Sequence, residues 1–167
     1  MSGLTVVVSG MVAGVPGQGG ATWAVLQYLL ALRRLGHRAL LVEPVALPPD
    51  GDLAGSGAAR YCEQVMRRVG LDDGWALVGA GSRKTAGRPY DEVLGWAHAA
   101  DALLNVSGML VDDALLAPIP VRAYLDLDPA FNQVWHEVEG IDMRFDGHTH
   151  FVTVGLNLGA AGCPVPT

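Results

Sequence analysis

Short apolar runs alternate with segments of helical spacing along most of this chain. Leu4 to Val8 is a β-branched run, Thr22 to Leu35 repeats apolar side chains at helical intervals, and Arg38 to Val42 is apolar again. That order predicts a strand, a crossover helix and a second, parallel strand. After a Pro- and Gly-rich connection from Pro44 to Gly57, the segment Ala58 to Val69 sets Tyr61, Val65, Met66 and Val69 at helical spacing, and Gly70 stops it. Trp75 to Val78 reads as a strand, Gly79 to Arg88 as a glycine-rich basic loop, and Pro89 opens a helix running to about His98. Ala102 to Val106, Val121 to Leu125 and Phe151 to Val154 read as further strands, with a short helical turn over Val111 to Leu116 before Pro118 and Pro120 interrupt. The strands are nearly continuous in apolar character rather than alternating. This predicts a Rossmann-like α/β fold, a mainly parallel sheet with helices on both faces in three α/β/α layers. Residues 1–154 are expected to form that domain, and the Gly- and Pro-rich residues 155–167 a tail or interdomain linker.

The first connection carries the most information. Gly14-Val15-Pro16-Gly17-Gln18-Gly19-Gly20 joins the first strand to the first helix, at the carboxyl edge of the predicted sheet. Glycines there let backbone amides approach a phosphate or a sugar hydroxyl, and the unpaired N–H groups of the helix N-terminus favour an anion. The dinucleotide fingerprint G-x-G-x-x-G fails, because counting from Gly17 and Gly19 its third glycine falls on Thr22. A Walker-type loop fails as well: Gly14 and Gly19 have the spacing, but Gly20 and Ala21 replace its lysine and hydroxyl. The bland alternative is a tight connection with Thr22 as helix N-cap.

Composition narrows the classes. The chain has 167 residues, half of them hydrophobic, enough for a sizeable core without disulfides or metal. Its net charge of −6, with no basic cluster larger than a pair, argues against sequence-independent nucleic-acid binding. Cys62 and Cys163 make no CxxC, so neither a disulfide framework nor a zinc ribbon is indicated, and a reducing cytoplasm is the expected compartment. No apolar run approaches the ~20 residues that span a bilayer, so membrane insertion is not expected.

Several polar positions invite chemistry. Asp126-Leu127-Asp128 follows a predicted strand and matches the short DxD pattern that holds a divalent ion in some glycosyltransferases, but Asp128-Pro129 also reads as a turn in which Asp126 bonds nearby backbone. His148 and His150 would point to one side of an extended segment, where with Asp126, Asp128 or His136 they form a possible ligand set. His136, His148 and His150 all have the pKa range of a general base. Glu43, ending the second strand, stands about where an acid would bind a ribose in a dinucleotide fold, although Pro44 follows it. Trp135 beside the acidic strand end is a candidate platform for a sugar ring. Ser107 lacks a G-x-S-x-G setting and is not read as a hydrolase nucleophile.

Taken together, Val8-Ser9-Gly10-Met11, Gly17-Gln18-Gly19-Gly20, the helix end Leu35-Gly36-His37 and Val42-Glu43-Pro44 resemble the N-terminal domain of a GT-B-type glycosyltransferase. Leu103 to Gly108, Tyr124 to Pro129 and Phe151 to Gly155 are similar to a group of bacterial, often actinobacterial, glycosyltransferase-like proteins, so the likeness covers most of the chain. The resemblance implies the acceptor-side half of an enzyme that transfers a sugar from a nucleotide-sugar donor to a hydroxyl acceptor, with no further cofactor and no metal required. It implies a second, C-terminal GT-B domain as partner, and no activity for this half alone. It also implies a cleft lined by Gly17, Gly19, Gly20, Glu43, Ser107 and Gly108, in which Asp126, Asp128, His136 or His150 orients or deprotonates the acceptor. A dinucleotide-binding oxidoreductase domain and a non-catalytic binding module are the alternatives, since the fold alone does not choose among them.

Overall fold

A computed structural model describes residues 3–166. The first apolar run forms β1 (Thr5–Ser9), the helical segment forms α1 (Gly19–Arg34), and the chain returns as β2 (Arg38–Val45), parallel to β1 with Thr5 opposite Arg38. The elements that follow are α2 (Gly57–Arg68), β3 (Trp75–Gly79), β4 (Thr85–Gly87), α3 (Tyr90–Ala99), β5 (Ala102–Val106), α4 (Asp113–Leu116), β6 (Val121–Asp126), α5 (Phe131–Glu137), a 3-10 turn (Phe145–Gly147) and β7 (His150–Thr153). They build one seven-stranded sheet in the order β4-β3-β2-β1-β5-β6-β7. All pairings are parallel except β3 with β4.

Side chains alternate between two apolar layers. Val6, Val8 and Leu41 meet Val25, Leu26 and Leu29 of α1 and Cys62 and Met66 of α2 on one face. On the other, Val7, Leu40, Val42 and Leu103 meet Val93 and Ala97 of α3 and Leu115 and Leu116 of α4. Burial on both faces is why these strands read as continuous apolar runs. The three-layer α/β/α architecture expected from the sequence is therefore the one observed.

Four local expectations need correction. The segment expected as a loop after β3 contains β4, a three-residue antiparallel strand that closes this edge of the sheet. β2 runs on through Pro44 to Val45, with Pro44 opposite Val78. Residues 131–137, left without an element by the sequence reading, form α5. Thr22 does not cap α1: the helix begins at Gly19 after Gln18, and the Thr22 hydroxyl is 2.9 Å from the Tyr61 hydroxyl of α2.

The strand order reverses between β1 and β5, after which the chain continues to α1 on one face of the sheet and to α4 on the other. In open α/β sheets this is where ligands bind. Residues 154–166 form turns and bends without helix or strand.

Candidate functional site

Buried polar side chains hold three of the loops at the carboxyl edge: Glu43 the loop after β1, Asn105 the loop after β5 and Asp126 the loop after β6. Glu43, fully buried on β2, reaches under the loop that leaves β1. Its carboxylate accepts from the N–H of Val12 at 2.8 Å, of Ala13 at 3.0 Å and of Gly14 at 2.6 Å. Burial pushes the Glu43 carboxyl above its ordinary value of 4.5, while the bonds from Ala13, Gly14 and Val12 pull it down, burial being the larger effect. A Cβ on Gly14 would sit 3.2 Å from Glu43 Oε1, so the absence of a side chain lets loop and carboxylate meet. Burial and the Glu43 charge also hold the neighbouring Cys62 thiol protonated and inert.

The turn beyond this anchor is bare. Gly17, Gly19 and Gly20 are exposed, and a Cβ built on any of them meets nothing within 4 Å. Gly17 adopts φ +86°, whereas Gly19 and Gly20 are the first helical residues of α1 and need no unusual backbone conformation. Gln18 gives the helix no side-chain cap, and no acidic residue lies in its first turn, so the first-turn N–H groups face solvent.

On β6, Asp126 is 4% exposed and serves its own surroundings. Its Oδ1 accepts from the Asp128 N–H at 3.1 Å and from Asn132 Nδ2 at 2.6 Å. Its Oδ2 accepts from Gln133 Nε2 at 2.9 Å and from the Thr153 hydroxyl at 3.0 Å. Burial and, to a lesser degree, the neighbouring Asp126 charge push the Tyr124 phenol up to about 12. The Asp128 carboxylate is exposed and has no hydrogen-bond partner among the described residues. The two carboxylates of Asp126-Leu127-Asp128 thus differ in kind: one anchors, the other is available.

The histidines do not converge. His148 is buried between Asn105 Nδ2 and the Arg144 carbonyl, whereas His150 is exposed on β7 beside the Thr149 hydroxyl. His136 packs its ring 4.8 Å from that of Phe145. Among the described residues no three His, Cys, Asp or Glu side chains are grouped to hold a metal ion. The expectation that His148 and His150 share a side is corrected. His148 is itself extended at φ −118°, ψ 153°, but a bend at Thr149 breaks the extended run before β7 begins at His150.

Asn105, which the sequence reading passed over, organises the loop after β5. Its side chain pairs with both the N–H and the carbonyl of Leu110. Ser107 and Gly108 lie in this loop at φ +51° and +64°, and a Cβ on Gly108 would come within 2.9 Å of the Tyr124 ring. The signal that marks Asn105 is its amide inside the apolar strand Ala102–Val106, where a buried polar group must find partners. Ala130, between Asp128 and α5, is held at φ +81°, ψ −43°, a strained conformation for a residue with a side chain.

The main concavity of this edge is a pocket of about 410 Å³ at the ends of β2 and β3. Pro44, Val78, Leu110 and Val111 line it with apolar surface. Its polar groups form a chain: the Arg83 guanidinium stacks 4.7 Å above the Tyr90 ring, and the Tyr90 hydroxyl donates to Asp112 Oδ2 at 2.8 Å. Asp112 Oδ1 in turn accepts from the Ala114 N–H and caps α4. A cavity of this size, mostly apolar with a few oriented polar groups, suits a small-molecule ligand. Farther along the edge, the Phe131 and Trp135 rings of α5 pack at a tilt with centroids 5.8 Å apart and are 62% and 42% exposed.

Among the described residues no helix is long and apolar enough to cross a membrane. No family model, no curated protein and no solved structure matches the chain. What sequence and structure together establish is a Rossmann-like α/β/α domain whose carboxyl edge has the form of a ligand-binding site.

Proposed function

We propose that this domain is the acceptor-side half of an enzyme that moves a sugar from a nucleotide-sugar donor to a hydroxyl acceptor, its carboxyl edge forming one wall of the cleft. The observation that favours this over a dinucleotide-binding oxidoreductase is the engagement of Glu43. A dinucleotide fold needs a free acid at the end of β2 to hold the ribose, and here that carboxylate is buried and occupied by three loop amides. In this reading Glu43 serves the site through the loop it shapes. Gly17, Gly19 and Gly20 offer side-chain-free backbone to a hydroxyl or phosphate, with Ser107 and Gly108 on the adjoining loop.

Asp128 is the group proposed to orient or deprotonate the acceptor hydroxyl as it attacks the anomeric carbon. Asp126 positions it by taking its N–H and by fastening α5 beside it. The strain at Ala130 belongs to the same loop, as strained backbone at functional loops commonly does. Trp135 is proposed to stack on a sugar ring, and His136 and His150 are the reserve bases. The second domain would supply the donor contacts, so this half should show no turnover alone.

The test is an NMR titration of the ¹⁵N-labelled chain with p-nitrophenyl glucoside, a nucleotide sugar and NADH, each at about 10 mM, enough to register weak affinities. The glucoside should shift amides at residues 17–20, 81–83, 107–112 and 128–135. Saturable NADH binding at the same amides would replace this reading with the oxidoreductase one, and no shift from any hydroxyl acceptor would remove it.

A further inference from the structure

Asn105 and His148 join two parts of the carboxyl edge that lie 43 positions apart in sequence. The Asn105 amide forms a closed pair with the Leu110 peptide, its Oδ1 accepting from the Leu110 N–H at 2.9 Å and its Nδ2 donating to the Leu110 carbonyl at 3.0 Å. That pair determines which way the amide faces, because exchanging O and N would set donor against donor and acceptor against acceptor. The second Nδ2 hydrogen is then directed at His148 Nε2, 3.0 Å away. Nε2 must be the lone-pair nitrogen. The other ring nitrogen lies 2.8 Å from the Arg144 carbonyl, which can only accept, so Nδ1 carries the hydrogen. One neutral tautomer satisfies every partner. A second proton would aim an Nε2–H at an NH₂ group that the backbone already holds in place.

We propose that His148 is a pH-sensitive latch on the loop of residues 107–112, whose protonation frees Asn105 and loosens the wall that Leu110, Val111 and Asp112 give to the carboxyl-edge pocket. The inference rests on reading that pocket as the ligand site and concerns its regulation.

No carboxylate bonds the ring to compensate for the added charge among the described residues. Arg122 of β6, which donates to the Gly147 and Ile119 carbonyls, contributes a further positive charge from that side. The Tyr124 and Phe151 rings face the imidazole at 5.1 and 6.5 Å. Asp113, Asp142, Arg144 and Asp146 border the cavity of about 180 Å³ that reaches His148, which gives water and protons a path. Burial, and to a lesser degree Arg122, hold His148 below its ordinary 6.5, against an opposing pull from its bonds to the Arg144 and Phe145 backbone. The native state therefore binds this proton more weakly than the unfolded chain does. The latch's contribution is complete above 6.5 and is lost as pH falls from there through the folded value.

The experiment uses the ¹⁵N-labelled chain. Long-range ¹H–¹⁵N spectra of the imidazoles read the His148 tautomer, and amide exchange, corrected for its intrinsic rate, reads Leu110 between pH 7.5 and 5. The expected result is an Nδ1–H tautomer at pH 7, with Leu110 protection falling on the order of tenfold as the ring titrates. His148→Gln offers Asn105 an acceptor that does not titrate, so its Leu110 protection should match the parent at pH 7 and stay flat on acidification. An Nε2–H tautomer, or a His148 titration that leaves Leu110 unmoved, would overturn the proposal. Both are read on the parent chain, whether or not the variant folds. Glucoside shifts at pH 7 are measured separately, so failure of the latch and failure of the pocket reading give different results.

Discussion

Replacing Gly19 and Gly20 together by alanine separates the structural from the ligand-binding role of the β1–α1 turn. Both residues occupy the first turn of a 16-residue helix, both have open space where a Cβ would go, and neither has a positive φ. Alanine should enter without strain. A helix-interior Gly→Ala exchange is worth up to about 1 kcal/mol per residue, less in the first turn, so the pair should stabilise the domain by about 1 kcal/mol. For a chain of this size that raises the melting temperature by about 2–4 °C. The two methyl groups would meanwhile stand over the first-turn N–H groups and hold a hydroxyl or phosphate beyond hydrogen-bonding distance. Stability should rise as glucoside-induced shifts at residues 17–20 disappear. Differential scanning calorimetry and the NMR titration read the two effects on one sample. A variant that loses stability would refute the packing argument, and one that binds the parent's ligand unchanged would remove the turn from the site.

Other outcomes follow from the anchors and the edge. Glu43→Ala strands three N–H donors, those of Val12 and Ala13 buried, and should cost on the order of 3 kcal/mol in urea unfolding, so a loss under about 1 kcal/mol would show that the loop finds other partners. Because the native state holds the Glu43 proton more tightly than the unfolded chain, its contribution is complete below 4.5 and is lost as pH rises through the folded value. Glu43→Gln should flatten that part of the stability profile, and an unchanged profile would show that Glu43 is not its source. Ala130→Gly should relieve the strained backbone and stabilise by about 1 kcal/mol, with destabilisation counting against strain there. β7 is an open sheet edge whose residues are all exposed, among them Phe151 and Val152, beside exposed Val154 and Leu156. The chain should self-associate in sedimentation at high concentration and Phe151→Lys should weaken this, whereas an ideal monomer throughout would contradict it.

The sheet was legible in the sequence because its strands are buried on both faces and therefore read as apolar runs. β4 was not, since Thr85–Gly87 is a three-residue strand with one buried side chain. The signal for α5 existed: Phe131, Val134, Trp135 and Val138 recur at helical spacing, but Phe131, Trp135 and Val138 face solvent, and the preceding Asp-Pro suggested a turn. At the site, residue types pointed to the carboxyl edge and spacing could not say what each side chain does there. Glu43 is satisfied by amides 29 to 31 positions earlier, and Asn105 by a histidine 43 positions later. Such partners are brought together only by strand pairing. Asp126 was the readable case: its bonds to the Asp128 N–H, Asn132 and Gln133 are local, as a residue opening a turn would make them.

The two anchors that reach in from other elements, Glu43 and His148, also have a kinetic consequence. The β1–α1 loop cannot take its shape until β2 has paired with β1 and delivered Glu43, and the loop after β5 must wait for the turn before β7 to bring His148. Closing such separations costs chain entropy before any bond repays it, so these contacts belong on the native side of the folding barrier. Disrupting them should accelerate unfolding and leave the folding rate nearly untouched, giving φ-values near zero at Glu43 and His148. The carboxyl edge would then be the last part of the molecule to assemble and the first to open.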